Sequence, residues 1–402
     1  MRIIYATTAI VPCRLANSIH VMKMCQAFKE MGHEVELVVP TWPHLEDIQP
    51  GVDIWTLYGI HHHFPISRRK WSKPAAGLDF AYSAYSYARQ KKVDLLFTRN
   101  LAVAAISSLR GMPTVLEYHR PVVSPFRWQV FRKFGGETRP MIVALGILEH
   151  LLLQFAIRGS GFRKLVVISG ILKGLILEQL GGKLEDNDVM VCPDAIDLER
   201  FDKMLDPPAA RAKLALPAQQ VTFGYAGQLY EGFGIELLLN LARLLTEAQF
   251  VVIGGDEEYI VRWRQKKAQL GVENINFFGF VPNAVVPDYL AACDILLMPY
   301  QRKVTIAGKG DTSLWMSPMK MFEYMATGRM IISSDLPVLR EVLNDRNAAL
   351  CPPDDEGVWL RAAQKAVSDP TWRGSLGRQA RADAEKYTWK CRVARILKEA
   401  LG

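Results

Sequence analysis

The chain has 402 residues, of which half are hydrophobic and 22% are charged, and its formal net charge is +8. This composition is typical of a globular protein with buried cores, and it excludes a disordered or fibrous chain. At about 100–200 residues per domain, the length predicts two domains, with three as an alternative. The longest apolar run, 141–157, is interrupted by polar residues, so we expect no membrane-spanning helix. The first residues do not have the pattern of a signal peptide.

Short apolar segments alternate with longer amphipathic segments along the chain. In the first part the pattern predicts strands at 2–6, 34–39, 93–98, 114–118, 164–169 and 188–192, and helices at 17–32, 101–109 and 171–180. A proline-bearing loop is predicted at 193–218. The pattern then restarts, with strands at 221–226, 250–253, 275–278, 295–298 and 330–333, and helices at 235–245, 259–270, 285–292, 316–327 and 336–343, before a helical C-terminus.

This alternation predicts an α/β protein with two doubly wound, Rossmann-like domains facing each other across a cleft. We expect an N-terminal domain at 1–200, a C-terminal domain at 201–385, and a helix at 386–402 that packs back on the N-terminal domain. Ligands of such sheets bind beyond the carboxyl ends of the strands, so we expect the active site in the cleft.

The six cysteines are far apart, and none forms a Cys-x-x-Cys pair. Their spacing excludes a zinc ribbon and a thioredoxin motif, and favours a reduced, cytoplasmic protein. His61, His62 and His63 form a run that could bind a metal, although exposed loop histidines are the simpler interpretation.

Positive charge is concentrated at 61–164, which holds 17 Lys and Arg against 5 Asp and Glu. Basic and aromatic residues are interleaved there, at 68–71 and at 126–133. Such segments suit an anionic membrane surface, which would place the protein on the inner face of the membrane. A solvated basic face is an equally simple explanation, and nucleic acid is not expected because no recognition motif accompanies the charge.

The segment 317–328 (Ser-Pro-Met-Lys-Met-Phe-Glu-Tyr-Met-Ala-Thr-Gly) predicts a loop that enters a helix at Pro318, in the N1 position. The first turn of a helix exposes backbone N–H groups and a positive dipole end, and together they attract anions. Lys320 lies in that turn, where the helix dipole disfavours a lysine, so an anionic ligand would explain its placement. Glu323 follows one turn later and could accept two hydroxyl groups of a sugar. The alternative is an ordinary helix with a Lys320–Glu323 surface pair.

This segment resembles the donor-binding helix of retaining glycosyltransferase family 4, whose fold is GT-B. Further segments resemble the family in the same order along the chain. They are 32–35 (Gly-His-Glu-Val), 167–169 (Val-Ile-Ser), 193–197 (Pro-Asp-Ala-Ile-Asp), 223–227 (Phe-Gly-Tyr-Ala-Gly), 251–255 (Val-Val-Ile-Gly-Gly) and 277–281 (Phe-Phe-Gly-Phe-Val). Each segment alone is a weak signal, whereas their order and spacing together are specific.

The resemblance implies a donor site in the C-terminal domain. Glu323 would bind the ribose, and Pro318, Met319 and Lys320 would hold the diphosphate. Phe280 and Val281 would lie near the base, while Gly227 would let the backbone approach the phosphates.

In the N-terminal domain, the resemblance places His119 opposite the transferred sugar. His119, Lys320 and Glu323 are therefore the expected catalytic residues. The family needs no metal and no cofactor, and its retaining mechanism is thought to use same-face attack.

The sequence departs from the family pattern at three positions. Trp315 stands where the family has a glutamate that meets the sugar, and Ser317 or the loop 308–312 is a candidate substitute. Gln228 and Phe233 stand where the family has an arginine and a lysine. Two buried phosphates need compensating charge, so we expect Lys320, with Arg302, Lys303 or Lys309, to supply it.

The expected substrates are a UDP- or GDP-sugar and a glycan or lipid-linked acceptor, in bacterial surface polysaccharide or glycolipid synthesis. We expect the acceptor at the loop 12–20, with Arg14, Asn17 and His20 as contacts. A nucleotide-sugar epimerase and a non-catalytic nucleotide-sugar sensor on the same fold remain as alternatives.

Overall fold

The computed structural model describes residues 1–41, 53–72, 77–121, 140–306 and 309–402. It divides into two compact units: unit 1 comprises 1–193 and 389–402, and unit 2 comprises 194–388. The predicted boundaries, 200 and 385, lie a few residues away from these positions.

Unit 1 is built on a sheet of seven parallel strands in the order β3-β2-β1-β4-β5-β6-β7. Its strands are β1 (Arg2–Ala6), β2 (Glu34–Pro40), β3 (Ile66–Arg69), β4 (Leu95–Thr98), β5 (Thr114–Glu117), β6 (Phe162–Val167) and β7 (Val189–Val191). Its helices in this part of the chain are α1 (Ala16–Glu30), α2 (Ile54–Tyr58), α3 (Leu78–Lys91), α4 (Leu101–Leu109), α5 (Pro140–Arg158) and α6 (Gly170–Leu180). The strand order reverses between β1 and β4, which is where ligands of such sheets bind.

Unit 2 begins with two short helices, α7 (Glu199–Asp202) and α8 (Pro207–Lys213), inside the segment predicted as a loop. Its parallel sheet has the order β10-β9-β8-β11-β14-β15, and β12 and β13 form a separate antiparallel pair. The strands are β8 (Thr222–Ala226), β9 (Gln249–Ile253), β10 (Ile275–Gly279), β11 (Ile295–Met298), β12 (Thr305–Ile306), β13 (Lys309–Asp311), β14 (Met330–Ser334) and β15 (Ala349–Cys351). The helices are α9 (Ile235–Leu244), α10 (Glu257–Gln269), α11 (Val286–Ala291), α12 (Met319–Thr327), α13 (Glu356–Ser368) and α14 (Pro370–Ala384).

The last helix, α15 (Trp389–Leu401), belongs to unit 1 and packs on α1. Its apolar face is buried, and the Trp389 ring lies 5.1 Å from the His20 ring. The C-terminus of the chain thus completes the first unit.

Both sheets are fully buried in their central strands, as expected for parallel sheets covered on two faces. In unit 2 the Phe223 and Phe250 rings stack at 4.8 Å, and the buried Trp359 of α13 covers the same core. In the described parts of the chain, no helix has both the length and the apolar character needed to cross a bilayer.

Several elements differ from the prediction. The predicted helix at 336–343 is only a short 3₁₀ turn, Leu339–Glu341, in which Val342 N–H donates to Leu339 C=O. The four-residue bonds beside it, such as Leu343 N–H to Leu339 C=O, do not continue into a regular helix. The loop prediction at 193–218 was wrong for α7 and α8. Strand β3 was not predicted, since its Ile-Ser-Arg-Arg sequence is half-exposed at the sheet edge and carries no apolar run.

Candidate functional site

The carboxyl ends of β8, β9 and β10 meet in unit 2. Gly227 follows β8 with φ of 145°, and a Cβ there would lie 2.8 Å from Cε of Lys320. Gly254 follows β9 with φ of 99°, and its N–H donates to Gly279 C=O at 2.7 Å. Glycine is therefore required at both positions, because the backbone must take a left-handed conformation against close neighbours.

The N-terminus of α12 lies beside this edge. Pro318 is the N-cap residue with φ of −75° and ψ of 122°, so the helix begins at Met319. This start lies three residues after that of the predicted helix 316–327 and one residue after the N1 position predicted for Pro318. Within the described residues no side chain caps this terminus. Its first N–H groups therefore offer an anion site.

Ser317 has a structural role. Its buried hydroxyl accepts a hydrogen bond from the Asp194 N–H at 2.9 Å. This bond fixes the residue at the helix entrance and leaves its O–H as a donor, so the sugar-binding role of Ser317 stays a prediction.

The Lys320 ammonium is buried among three aromatic rings. Its Nζ lies 4.0 Å from the Tyr225 ring centroid, 5.2 Å from that of Tyr300 and 5.4 Å from that of Phe233. Among the described residues Nζ has no hydrogen-bond partner. Burial lowers the pKa of Lys320 to about 7, although the nearby Glu323 charge opposes this. The alternative of an exposed Lys320–Glu323 pair is therefore wrong.

Glu323 is only 9% exposed on the second turn of α12. Its Oε1 accepts a hydrogen bond from Asn283 Nδ2 at 3.4 Å. Arg200 in turn donates to Asn283 Oδ1 at 2.9 Å, which fixes the amide. The helix is held in place by Tyr324, whose hydroxyl accepts from the Ala226 N–H at 2.7 Å.

Asn283, Arg200 and the aromatic residues around Lys320 were missed in the sequence analysis. Asn283 could have been found, because it comes three residues after Phe280, at the end of a strand that the sequence did predict. Phe280 is 39% exposed directly after β10, and Val281 is half-buried beside it.

The three residues that depart from the family pattern all lie in unit 2. Gln228 has a buried Oε1 without a hydrogen-bond partner among the described residues, and Phe233 is buried with its ring toward Lys320. Trp315 is buried as well. The ammonium of Lys320 thus lies next to the position where the family has a lysine.

The other cations expected at the phosphate site are Arg302, Lys303 and Lys309. Arg302 makes a double hydrogen bond with the exposed Asp354, at 3.0 and 2.9 Å, and its role as a phosphate ligand stays a prediction. Lys303 is exposed. Residues 307–308 lie outside the described residues, as does the side chain of Lys309.

In unit 1, three side chains meet at the carboxyl ends of β1, β4 and β5. Arg99 follows β4, and its Nη2 lies 2.9 Å from His119 Nδ1. Arg99 Nη1 donates to Asn17 Oδ1 at 2.6 Å. Arg99 was not predicted, although its place directly after a predicted strand could have indicated it.

Below this group, Glu117 is completely buried at the end of β5. Its Oε1 lies 2.6 Å from His119 Nε2, 2.8 Å from His20 Nε2 and 2.8 Å from Arg392 Nη2. The Tyr5 hydroxyl donates to its Oε2 at 3.2 Å. Burial alone would raise the pKa of Glu117, but the charge of Arg392 and the contacts with His20 and His119 outweigh it and hold that pKa well below its usual value.

Burial, and then the charge of Arg99, lower the pKa of His119 to about 4. His119 is therefore neutral at physiological pH. Because Arg99 can only donate hydrogen bonds, His119 Nδ1 must accept, and Nε2 carries the proton that is donated to Glu117.

The expected acceptor contacts divide into two groups. Arg14 and Asn17 are exposed. His20 is 2% exposed and lies against Glu117, so the prediction that it contacts an acceptor was wrong. The histidine run is exposed, and His63 stacks on Trp55 at 4.4 Å.

One cluster among the described residues has the donor atoms for a metal: His20, Glu117 and His119. The Arg392 guanidinium contacts the same Glu117 oxygen as both histidines, so a positive charge already occupies the place that a cation would take. The cluster therefore fits a metal poorly.

Of the basic-aromatic segments, 126–133 lies outside the described residues. In the other segment, Arg68 Nη2 donates to Val11 C=O at 2.9 Å and Arg69 stacks 3.7 Å from the Tyr87 ring centroid. These two arginines therefore have structural roles within unit 1.

Comparison with known proteins covers both units. Residues 18–200 match the family model described as Glycosyltransferase Family 4, and residues 220–369 match the one described as Glycosyl transferases group 1. The chain is 22% identical over 392 residues to a phosphatidyl-myo-inositol mannosyltransferase of Mycolicibacterium smegmatis, covering 94% of this chain and 88% of the relative.

Solved structures show the same fold at low sequence identity. HepE of Anabaena in complex with UDP superposes with a TM-score of 0.71 at 14% identity, covering 99% of each chain. Sucrose-phosphate synthase from Thermosynechococcus elongatus gives a TM-score of 0.71 at 18% identity, covering 99% of this chain and 98% of the other. HepE has also been solved with UDP-glucose.

Proposed function

The chain belongs to glycosyltransferase family 4 and folds as two Rossmann-like domains, and from this premise we propose that it transfers a sugar from UDP- or GDP-sugar to a glycan or lipid-linked acceptor, with retention and without a metal. The observation that carries the proposal is the buried Lys320 ammonium beside a helix N-terminus that no side chain of the described residues caps. HepE supports a nucleotide sugar as the donor class, since it has been solved with UDP-glucose.

A bound diphosphate would give the buried Lys320 ammonium the hydrogen-bond acceptors that it needs. An ammonium buried without a hydrogen-bond partner costs free energy, which is why its pKa is low. A diphosphate at the first turn of α12 would accept hydrogen bonds from backbone N–H groups and from Lys320. Glu323, one turn along, would accept the two hydroxyls of the ribose.

In the proposed reaction the bond between the anomeric carbon and the diphosphate oxygen breaks, and a bond from that carbon to the acceptor oxygen forms on the same face. The leaving phosphate takes the proton of the acceptor hydroxyl. Negative charge grows on the diphosphate as the bond breaks, so Lys320 and the helix terminus stabilise the transition state more than the ground state.

The acceptor is assigned to unit 1, where Arg14 and Asn17 are exposed. The mannosyltransferase relative is named for a phosphatidyl-inositol acceptor, which favours a glycolipid acceptor here.

Association with an anionic membrane is part of this proposal. Leu148, Leu151 and Phe155 are exposed along one face of α5, at helical spacing, and Arg158 ends the helix. Apolar side chains beside basic ones suit the headgroup region of a bilayer. Leu151→Glu should reduce pelleting with anionic liposomes, whereas Leu244→Glu, at an exposed leucine of unit 2, should not. Equal pelleting of both variants would reject the membrane role.

The enzymatic test uses the purified chain with UDP-, GDP- and ADP-sugars in a thermal-shift screen. The stabilising donor is then supplied with a glycolipid extract, and nucleotide release and the anomeric configuration of the product are measured. We expect UDP or GDP release that depends on the acceptor, with retained configuration. Donor conversion without acceptor would indicate an epimerase, and binding without release would indicate a sensor.

A further inference from the structure

The first residues of unit 2 contact the candidate donor site at two points. Asp194 N–H donates to Ser317 Oγ at 2.9 Å, at the entrance of α12. On α7, Arg200 donates from Nη1 to Asn283 Oδ1 at 2.9 Å, and from Nη2 to the Asn283 C=O. Asn283 follows β10 and begins a 3₁₀ turn. This short segment is therefore fixed against the helix that carries Glu323 and against the loop that donates to Glu323.

Arg200 determines which way the Asn283 amide faces. The oxygen and the NH₂ group of an asparagine have nearly the same shape, so either can face a neighbouring side chain. A guanidinium only donates, so Arg200 must meet Oδ1, and the NH₂ group is then turned toward Glu323. Nδ2 lies 3.4 Å from Glu323 Oε1, the distance of a long hydrogen bond. Without Arg200 the amide could present its oxygen to the carboxylate, and two acceptors would repel each other.

Glu323 needs such a donor because it is a buried carboxylate. The two oxygens of a carboxylate offer about four acceptor positions, so this amide N–H does not compete with the hydroxyls of a ribose. The amide is neutral, so it holds Glu323 without compensating its charge. Ribose hydroxyls therefore still meet a charged acceptor, to which hydrogen bonds are stronger than to a neutral one.

We propose that Asn283 and Arg200 are positioning residues for ribose recognition. Arg200 orients the Asn283 amide, and the amide holds the Glu323 carboxylate where it accepts the 2′- and 3′-hydroxyls of the nucleotide. The arrangement makes the site selective for ribonucleotides over 2′-deoxyribonucleotides. The inference rests on the proposed function, which places the ribose at Glu323, and the residues that carry it all belong to unit 2.

The test measures how strongly the site prefers a ribose. Titration calorimetry gives the Kd for UDP, GDP, their 2′-deoxy counterparts and inorganic pyrophosphate. The ribose preference is the ratio of the Kd of the 2′-deoxynucleotide to the Kd of the ribonucleotide, for whichever base binds more tightly. We expect a preference of about tenfold or more in the wild type, because a hydrogen bond to a charged group contributes that much.

Asn283→Leu removes the amide and keeps a side chain of similar size. We expect the ribose preference to fall by about fivefold, which is what a neutral hydrogen bond contributes, while the affinity for pyrophosphate changes by less than about twofold. If this variant does not fold, Asn283→Ala provides the same comparison. An unchanged ribose preference would overturn the inference. In a folded variant, equal losses for nucleotides and pyrophosphate would also overturn it, because the amide would then act on the whole site.

Arg200→Met tests whether the arginine acts through Asn283. If it does, this variant should lower the ribose preference no more than Asn283→Leu does, and the double variant should equal Asn283→Leu within about twofold. No loss in Arg200→Met, or additive losses in the double variant, would contradict its positioning role. Arg200→Lys, which keeps the charge but not the forked donor, replaces the methionine variant if that one does not fold. Arg243→Met, at an exposed position of α9, is the matched control and should leave the preference unchanged.

Two outcomes separate this inference from the proposed function. A ribose preference that Glu323→Gln lowers but Asn283→Leu leaves intact would overturn the inference alone. A wild type that binds none of the nucleotides would reject the proposed donor site, and the positioning roles of Asn283 and Arg200 with it.

Discussion

The two candidate sites lie at the carboxyl ends of the strands in their sheets. They differ in whether the buried charge has hydrogen-bonding partners. In unit 2, the Lys320 ammonium is buried without a hydrogen-bond partner in the described part of the chain. In unit 1, the Glu117 carboxylate is equally buried but is surrounded by Arg392 and two histidines. A charge without a partner indicates that a ligand belongs there, whereas a charge with partners indicates a positioning role.

The largest expected effect is on stability, and it comes from removing the cation that compensates Glu117 in unit 1. Arg392→Met leaves Glu117 buried without its main cation, so the free energy of unfolding should fall by about 3–5 kcal/mol. Arg395→Met, at an exposed position of the same helix, should change it by less than about 0.5 kcal/mol. Urea denaturation measures both, and similar values for the two variants would show that the Arg392–Glu117 contact contributes little.

Lys320→Met tests the buried charge of unit 2. Its effects on stability and on UDP binding should have opposite signs. Removing the unpartnered ammonium should stabilise the ligand-free protein by about 1–3 kcal/mol. Loss of a charged hydrogen bond to the diphosphate should weaken UDP binding by about 1.5–3 kcal/mol. Urea denaturation and calorimetry measure the two quantities, with Lys266→Met on exposed α10 as the control. A variant that loses stability would contradict this interpretation of Lys320.

Glu323→Gln should have a somewhat smaller effect. A neutral amide still accepts one hydroxyl but loses the charge, so UDP affinity should fall by about 1–2 kcal/mol. The effect should disappear for inorganic pyrophosphate, which has no ribose. Equal losses of affinity for UDP and pyrophosphate would contradict the assignment of Glu323 to the ribose. Glu258→Gln, at an exposed site of α10, provides the matched control.

The sequence predicted most of the fold because the central strands are continuous apolar runs and the helices between them are amphipathic. It missed the short elements β3, β12, β13, β15, α2, α7 and α8, and it overextended the turn at Leu339–Glu341, because such segments have too few residues for a period to appear. It also missed two longer helices, α3 and α5.

The candidate site was predictable where its residues lie in one segment, as Lys320 and Glu323 do on α12. Arg99, Glu117 and Arg392 could not be linked from the sequence, because Arg392 lies 275 residues after Glu117 and only the fold brings them to 2.8 Å. For the same reason, His20 was taken for a loop contact although it lies on the buried face of α1.

The dependence of UDP affinity on pH tests the central claim most directly. Because the pKa of Lys320 is about 7 and only its charged form binds the diphosphate, affinity should fall as pH rises above 7, by up to about tenfold per pH unit. Between about pH 7 and 9 the terminal phosphate of UDP stays ionised, since its pKa is about 6, so the change belongs to the protein. Titration calorimetry across this range should show that decline in the wild type and a flat, weaker affinity in Lys320→Met. A wild-type affinity that is independent of pH and equal to that of Lys320→Met would contradict the assignment of Lys320 as the diphosphate ligand.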